Sequence, residues 1–132
     1  MWASESYETN MVSSFKSTSG WRRITRAWGY SLQGLRAAIR QEASFRQELL
    51  LAVVLVPCAF WVGNTPVQIA LLLATLFAVL IVELLISALE TVADAVSIEE
   101  HPLIGRAKDI GSAAVLLTLI MAAIVWLAVW LS

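Results

Sequence analysis

Beyond a polar, Ser- and Thr-rich stretch at residues 1–20, the chain is built from long apolar runs separated by short charged blocks. Three runs stand out: "LLLAVVLVPCAFWV" (49–62), "VQIALLLATLFAVLIVELLISAL" (67–89) and "AAVLLTLIMAAIVWLAVWL" (113–131). The second and third have 23 and 19 residues, and a helix that crosses a bilayer needs about 20. The first has 14. It reaches spanning length if its helix starts near Phe45 and lets Arg46 and Glu48 extend to the headgroups. "GNTP" at 63–66 reads as a turn, with Gly ending one helix and Pro66 opening the next. So short a turn makes the first two spans an antiparallel hairpin. The pattern predicts an all-α integral membrane protein with spans at 45–62, 67–89 and 113–131, joined by a loop at 90–112. No internal repeat is visible.

Before the first span, "WRRITRAWGYSLQGLRAAIRQEASF" (21–45) has a different period. Trp21, Ile24 and Trp28 recur at i, i+3, i+7, and Leu32, Leu35 and Ile39 continue the apolar side. Arg22, Arg23, Arg26, Arg36 and Arg40 supply cationic positions among them. This predicts an amphipathic surface helix over 21–44, or two, on an anionic leaflet. Gly29 and Gly34 suit a bend or close packing. Residues 1–20 lack the apolar core of a signal peptide and read as a disordered tail; residues 21–132 read as one membrane domain.

Composition agrees. The 132 residues are 59% hydrophobic and 14% charged, against about 25% charged in soluble domains. Cys58 is the only cysteine, so no intrachain disulfide forms. The net charge of −1 hides an uneven distribution. Lys16, Arg22, Arg23, Arg26, Arg36, Arg40 and Arg46 precede the first span, the turn at 63–66 has no cation, and Arg106 and Lys108 follow the second span. The positive-inside rule then puts the N-terminus and the 90–112 segment in the cytoplasm and the C-terminus on the opposite side of the membrane. Trp61, Trp126 and Trp130 fall at the non-cytoplasmic interface, where indoles are favoured.

The second span ends unusually. Glu83, Ser87, Glu90 and Asp94 lie at offsets of 4, 7 and 11, which is about +40°, −20° and +20° around a helix. They form one stripe in hydrocarbon and at its edge, where a charge costs roughly 2.5–3.5 kcal/mol. A metal, a cation, water or a partner helix must offset that cost. Downstream, "GRAKDIGSAA" (105–114) places Lys108 and Ser112 on one face, with Asp109 pointing elsewhere, and Gly105 and Gly111 allow close backbone approach. Glu42 adds an acid before the first span. Carboxylates, an ammonium and arginines at a lipid–water boundary suit Mg²⁺ and phosphates. A structural ion-pair network and a proton or ion pathway are the rival readings. Against the pathway, Gln68, Thr75 and Thr118 are isolated polar residues in the spans. No Walker loop, kinase-type Gly-rich loop or Cys/His metal cluster is present. His101 reads as a loop residue.

"RAWGYSLQGLRAAIRQEASFRQE" (26–48), "VELLISALETVAD" (82–94) and "GRAKDIGSAA" (105–114), in this order, resemble the characteristic blocks of the small prokaryotic diacylglycerol kinases, over about residues 20–132. The resemblance implies a homotrimer, with three transmembrane helices and one surface helix per chain and active sites shared between subunits. It implies transfer of the ATP γ-phosphoryl group to diacylglycerol at the cytoplasmic face, giving phosphatidic acid. Glu83 matches the general base. Glu42 and Glu90 match the carboxylates that hold Mg²⁺ on the ATP phosphates. Arg23, Tyr30, Lys108, Asp109 and the turn Glu99, Glu100 and His101 match nucleotide contacts. Arg23, Arg36, Ala37, Ala38, Ile39, Arg40, Glu83 and Ser112 match the lipid-facing side, with Ser87 and Asp94 as supporting polar groups. The implied partners are ATP, diacylglycerol, membrane lipids and other copies of the chain, with no nucleic acid. One position departs: Ile86 stands where the family has Asn, which implies weakened activity. A polyprenol kinase and a catalytically silent trimeric scaffold are the alternatives.

Overall fold

The computed structural model describes residues 20–96 and 101–132. The expected tail therefore falls outside the described residues, apart from Gly20, and so do Glu99 and Glu100. Four helices follow one another: α1 (Gly20–Gln41), α2 (Ala43–Val62), α3 (Pro66–Val96) and α4 (Pro102–Leu131). No strand occurs among the described residues. Two units are present, one ending at Ala37 and one running from Ala38 to Ser132.

In the first unit, α1 is a single helix that continues through Gly29 and Gly34. A Cβ at either glycine would meet nothing within 4 Å. Neither glycine bends the helix or admits a close neighbour; both are simply tolerated on an exposed helix. Trp21, Ile24 and Trp28 are exposed along it.

In the second unit, α2, α3 and α4 are each long and apolar enough to cross a membrane. The helices outrun the apolar runs. Residues 90–96 and 102–112, expected as loop, are helical extensions of α3 and α4. The reason is local. "ETVADAV" keeps helix-compatible residues in register with the span, and His101 starts α4 by accepting the Leu103 N–H at Nδ1 (3.1 Å), with Pro102 in the first turn.

The turn between α2 and α3 is specified by contact rather than by unusual dihedrals. Gly63 has φ −76° and ψ 132°, open to any residue. A Cβ there, however, would lie 2.6 Å from Ile69 Cγ1 and 3.1 Å from the Ile69 nitrogen. Gly63 thus lets the start of α3 press against the end of α2. Thr65 Oγ1 accepts the Gln68 N–H (3.2 Å), and Gln68 Oε1 accepts the Asn64 N–H (2.8 Å). These bonds resemble a capping box, drawn from "TPVQ". The Gln68 amide also donates to Ser132 Oγ at 3.2 Å.

Above this turn α3 packs on both α2 and α4. Ala59, Leu72 and Val129 form a buried cluster flanked by Val125 and Trp126. Two of the polar residues expected to be isolated have partners. Gln68 serves the turn, and buried Thr75 donates to the Leu72 carbonyl (2.6 Å) and accepts Trp126 Nε1–H (2.9 Å). Trp126 is therefore turned toward α3 rather than toward the interface. Trp61 and Trp130 remain exposed and meet in a tilted pair with centroids 6.0 Å apart.

Replacing Trp126 with Phe removes one interhelical hydrogen bond, worth about 0.6 kcal/mol and at most about 1.7 in membrane proteins. Gly63→Ala forces overpacking against backbone, which costs typically about 1–3 kcal/mol. Thermal unfolding in detergent should rank the parent above Trp126→Phe and Trp126→Phe above Gly63→Ala. An unchanged midpoint for Gly63→Ala would contradict the close approach.

Candidate functional site

The uninterrupted helix α3 keeps Glu83, Ser87, Glu90 and Asp94 in the stripe that their spacing implies. Exposure along the stripe changes between Ser87 and Glu90. Glu83 is half-buried, Ser87 is buried, and Glu90 and Asp94 are exposed. Thr91 turns its hydroxyl onto the Ser87 carbonyl at 2.8 Å. The stripe therefore passes from packed protein into open surroundings within three helical turns.

Gly111 brings α4 to the middle of this stripe. A Cβ at Gly111 would lie 3.3 Å from Leu89 Cδ2 and 3.5 Å from Ile86 Cδ1. Ile86 and Leu89 thus fill the space that a larger side chain would take. Gly105, expected to share this role, has nothing within 4 Å of its Cβ position. Of these two, Gly111 alone is a contact glycine. Lys108 lies one turn before it and Ser112 directly after it, both exposed. Because α3 and α4 run antiparallel, Lys108, one turn before Gly111, lies beyond Leu89, toward the Glu90 and Asp94 end of the stripe. Asp109 is exposed beside it.

The charges that act on Glu83 are those of Glu48 and Glu90. Glu48 was expected to reach the headgroups. Instead it is half-buried on α2 and lines a cavity of about 160 Å³, with Leu51, Leu55, Leu76, Leu119 and Trp126 among the other walls. The spacing held this signal. Leu51, Ala52 and Leu55 follow Glu48 at 3, 4 and 7 residues, all within about 60° of it. Glu48 thus belongs to the apolar face of α2 and joins Glu83 and Glu90 in a carboxylate neighbourhood.

Glu42 stands at the single-residue break between α1 and α2, with φ −110° and ψ 106°, and its carboxylate does not cap α2. It is half-buried. No group of three or more His, Cys, Asp or Glu side chains that could hold a metal forms among the described residues. A Mg²⁺ carried by a nucleotide needs only one or two protein carboxylates, because phosphates and water supply the remaining oxygens. The donor set fits such an ion and does not fit a preformed protein cage.

Of the other expected residues, Arg23, Tyr30, Arg36 and Ala37 are exposed on α1 in the first unit. Arg23 and Tyr30 are seven residues apart and share a helix face. Ala38 is buried, whereas Ile39 and Arg40 are exposed at the end of the same helix. His101, expected in a nucleotide-binding turn, caps α4 through Nδ1, which leaves Nε2 for any further contact.

A profile described as prokaryotic diacylglycerol kinase matches residues 29–130. Three relatives carry the name diacylglycerol kinase. The protein from Pseudomonas aeruginosa is 49% identical over 114 residues, covering 86% of this chain and 93% of its own. The protein from Escherichia coli K12 is 48% identical over 109 residues, 83% of this chain and 89% of its own. The protein from Haemophilus influenzae is 44% identical over 109 residues, 83% and 92% respectively.

Proposed function

This chain belongs to the prokaryotic diacylglycerol kinase family and phosphorylates diacylglycerol in the membrane, and from that premise we propose that Glu83 is the base that activates the lipid hydroxyl. The observation that carries this reading is its position. Glu83 is the half-buried acid of the α3 stripe, with Glu90 one face-repeat further into the open.

The chemistry follows from the boundary. A diacylglycerol arrives laterally, with its hydroxyl at headgroup depth, and ATP arrives from water. Glu83 accepts the hydroxyl proton as the lipid oxygen bonds to the γ-phosphorus and the bond to the β,γ-bridging oxygen breaks. The products are phosphatidic acid and ADP. Bound Mg²⁺ supplies charge neutralisation on the phosphates. Glu90 and Glu42 are the carboxylates that would hold it. Lys108 contributes a fixed positive charge for the phosphate oxygens, and Asp109, Arg23, Tyr30, Glu99, Glu100 and His101 complete the nucleotide side. Ser112 and residues 36–40 of α1 face the lipid, with α1 lying on the anionic leaflet through its arginines.

Two further features belong to this reading. The first is a homotrimer with sites shared between copies. Only 17%, 11% and 6% of the most apolar stretches of α2, α3 and α4 is buried inside one chain, so neighbouring copies and lipid have ample surface to cover. The second is orientation, with the charged ends of α3 and α4 in the cytoplasm, supported by the distribution of Lys and Arg. In a Cys58→Ala background, a cysteine at Asn64 should react with an impermeant thiol reagent added outside the inner membrane. A cysteine at Val96 should react only once the cytoplasmic face is opened. The reverse pattern would remove the ATP-facing site.

Glu83→Gln retains shape and hydrogen bonding and loses basicity. Turnover should fall about 10²–10⁴-fold, the usual range for a general base, with little change in nucleotide affinity. Glu90→Gln should instead weaken Mg²⁺-dependent nucleotide binding. Near-parental turnover in Glu83→Gln refutes the assignment of the base.

Ile86 separates rate from packing. Its side chain lies on Gly111 and can neither donate nor accept a hydrogen bond. Ile86→Asn should raise phosphoryl transfer about 10-fold, the equivalent of a hydrogen bond to a charged group worth roughly 1.5 kcal/mol. It should also lower the unfolding temperature, because the apolar contact with Gly111 is lost. An unchanged rate would mean that the position takes no part in catalysis in this chain.

A further inference from the structure

The junction at Glu42 contains a bond pair that none of the roles above uses. The Arg46 guanidinium reaches back from the first turn of α2 and donates through Nη1 to the Ile39 carbonyl (2.9 Å) and the Arg40 carbonyl (3.0 Å). Both acceptors lie in the last turn of α1, where carbonyls have no partner within the helix. The Glu42 backbone is held from both sides as well. Its N–H donates to the Ala38 carbonyl (3.0 Å) and its carbonyl accepts the Arg46 N–H (3.2 Å). Next to Arg46, Phe45 is only 2% exposed, so the turn that carries the guanidinium is anchored by packing.

We propose that Arg46 is a positioning residue for Glu42. Its guanidinium clamps the end of α1 to the start of α2 and fixes the backbone from which the Glu42 carboxylate projects toward Mg²⁺-nucleotide. The inference rests on the reading of Glu42 as a carboxylate for that ion.

Several observations favour this role over a plain lipid anchor. An arginine that served only the headgroups would extend into them, whereas this one satisfies two helix-terminal carbonyls. One Nη atom bridging two successive carbonyls is a geometry that a planar guanidinium holds well. An ammonium on a shorter, freely rotating stem holds it less well. Glu42 is also the one residue between the two helices, in extended conformation, and its side chain makes no capping bond. Without the clamp, the only bonds across the break among the described residues are backbone ones. A carboxylate set on such a hinge loses its fixed approach to the ion. The arrangement parallels the shells of residues around metal sites, whose removal typically costs about 10–100-fold in metal affinity or activity.

The test is a double-mutant cycle on the full-length protein in detergent micelles, using Arg46→Gln, Glu42→Gln and the double variant. The probe is trinitrophenyl-ATP fluorescence with and without Mg²⁺, and turnover with diacylglycerol is measured alongside. Arg46→Gln should raise the Mg²⁺-dependent dissociation constant about 10-fold and leave Mg²⁺-free binding unchanged. In the Glu42→Gln background the same change should add little, because the group it positions is already gone. KM for Mg-ATP should rise more than kcat falls. Arg46→Lys keeps the charge and weakens the clamp; it should shift binding in the same direction by less, and it serves if Arg46→Gln does not fold. Effects that add fully in the cycle overturn the proposal, as does parental binding in both Arg46 variants. A Glu42→Gln variant with parental Mg²⁺ dependence overturns the reading of Glu42 itself, and the proposal with it, a result the single variant distinguishes from failure of the clamp.

Discussion

The constraint on which the rest of this protein depends is the position of the α3 acids relative to lipid and water. A carboxylate in hydrocarbon is expensive, and an acid in free water gains nothing from an apolar helix beneath it. Glu83, Ser87, Glu90 and Asp94 occupy the last turns of one continuous helix and pass from buried to exposed along its axis. Such a stripe suits a reaction between a substrate that stays in the membrane and one that stays in water. The depth at which membrane gives way to water is where two such substrates can meet.

That depth is useful only if α3 is held still along its length, and the structure does so differently at its two ends. At the turn end, Gly63 admits Ile69, and Gln68 ties the turn and Ser132 together. One level further along, Trp126 donates to Thr75 across the helices. In lipid, where apolar surfaces gain little by meeting each other, close packing and such hydrogen bonds drive association. At the charged end no comparable bond joins α3 and α4 among the described residues. The contact is steric: Ile86 and Leu89 lie against Gly111. A steric seat sets the spacing of the helices without tying Lys108 to the α3 acids.

Glu48 adds a local tension. It brings a third carboxylate within range of Glu83, and it does so from the wall of an otherwise apolar cavity. Carboxylates held near one another disfavour each other's charged form. Local conflict of this kind collects at working sites, where the interactions that resolve it arrive with the substrate.

The sequence by itself determined the class of the protein. Three runs of sufficient length and apolarity fixed three spans, because backbone groups in lipid must be satisfied inside a helix. Helical period alone placed Glu83, Ser87, Glu90 and Asp94 on one stripe. Some further signals were present and easily passed over: "TPVQ" as a turn cap, and the period that puts Glu48 with Leu51, Ala52 and Leu55. What tertiary structure decided is what neighbours do. Gly63 and Gly111 are contact glycines, whereas Gly29, Gly34 and Gly105 have open space around them, and composition cannot distinguish the two kinds. Trp126 looked like an interfacial indole until Thr75 supplied a partner on the facing helix. Arg46 looked like a headgroup anchor until the carbonyls of Ile39 and Arg40 came within reach. Period and length act along one helix and are written in the chain. Side-chain direction at a helix–helix seam depends on which atoms stand opposite, and those atoms are 51 residues away in sequence for Trp126 and Thr75.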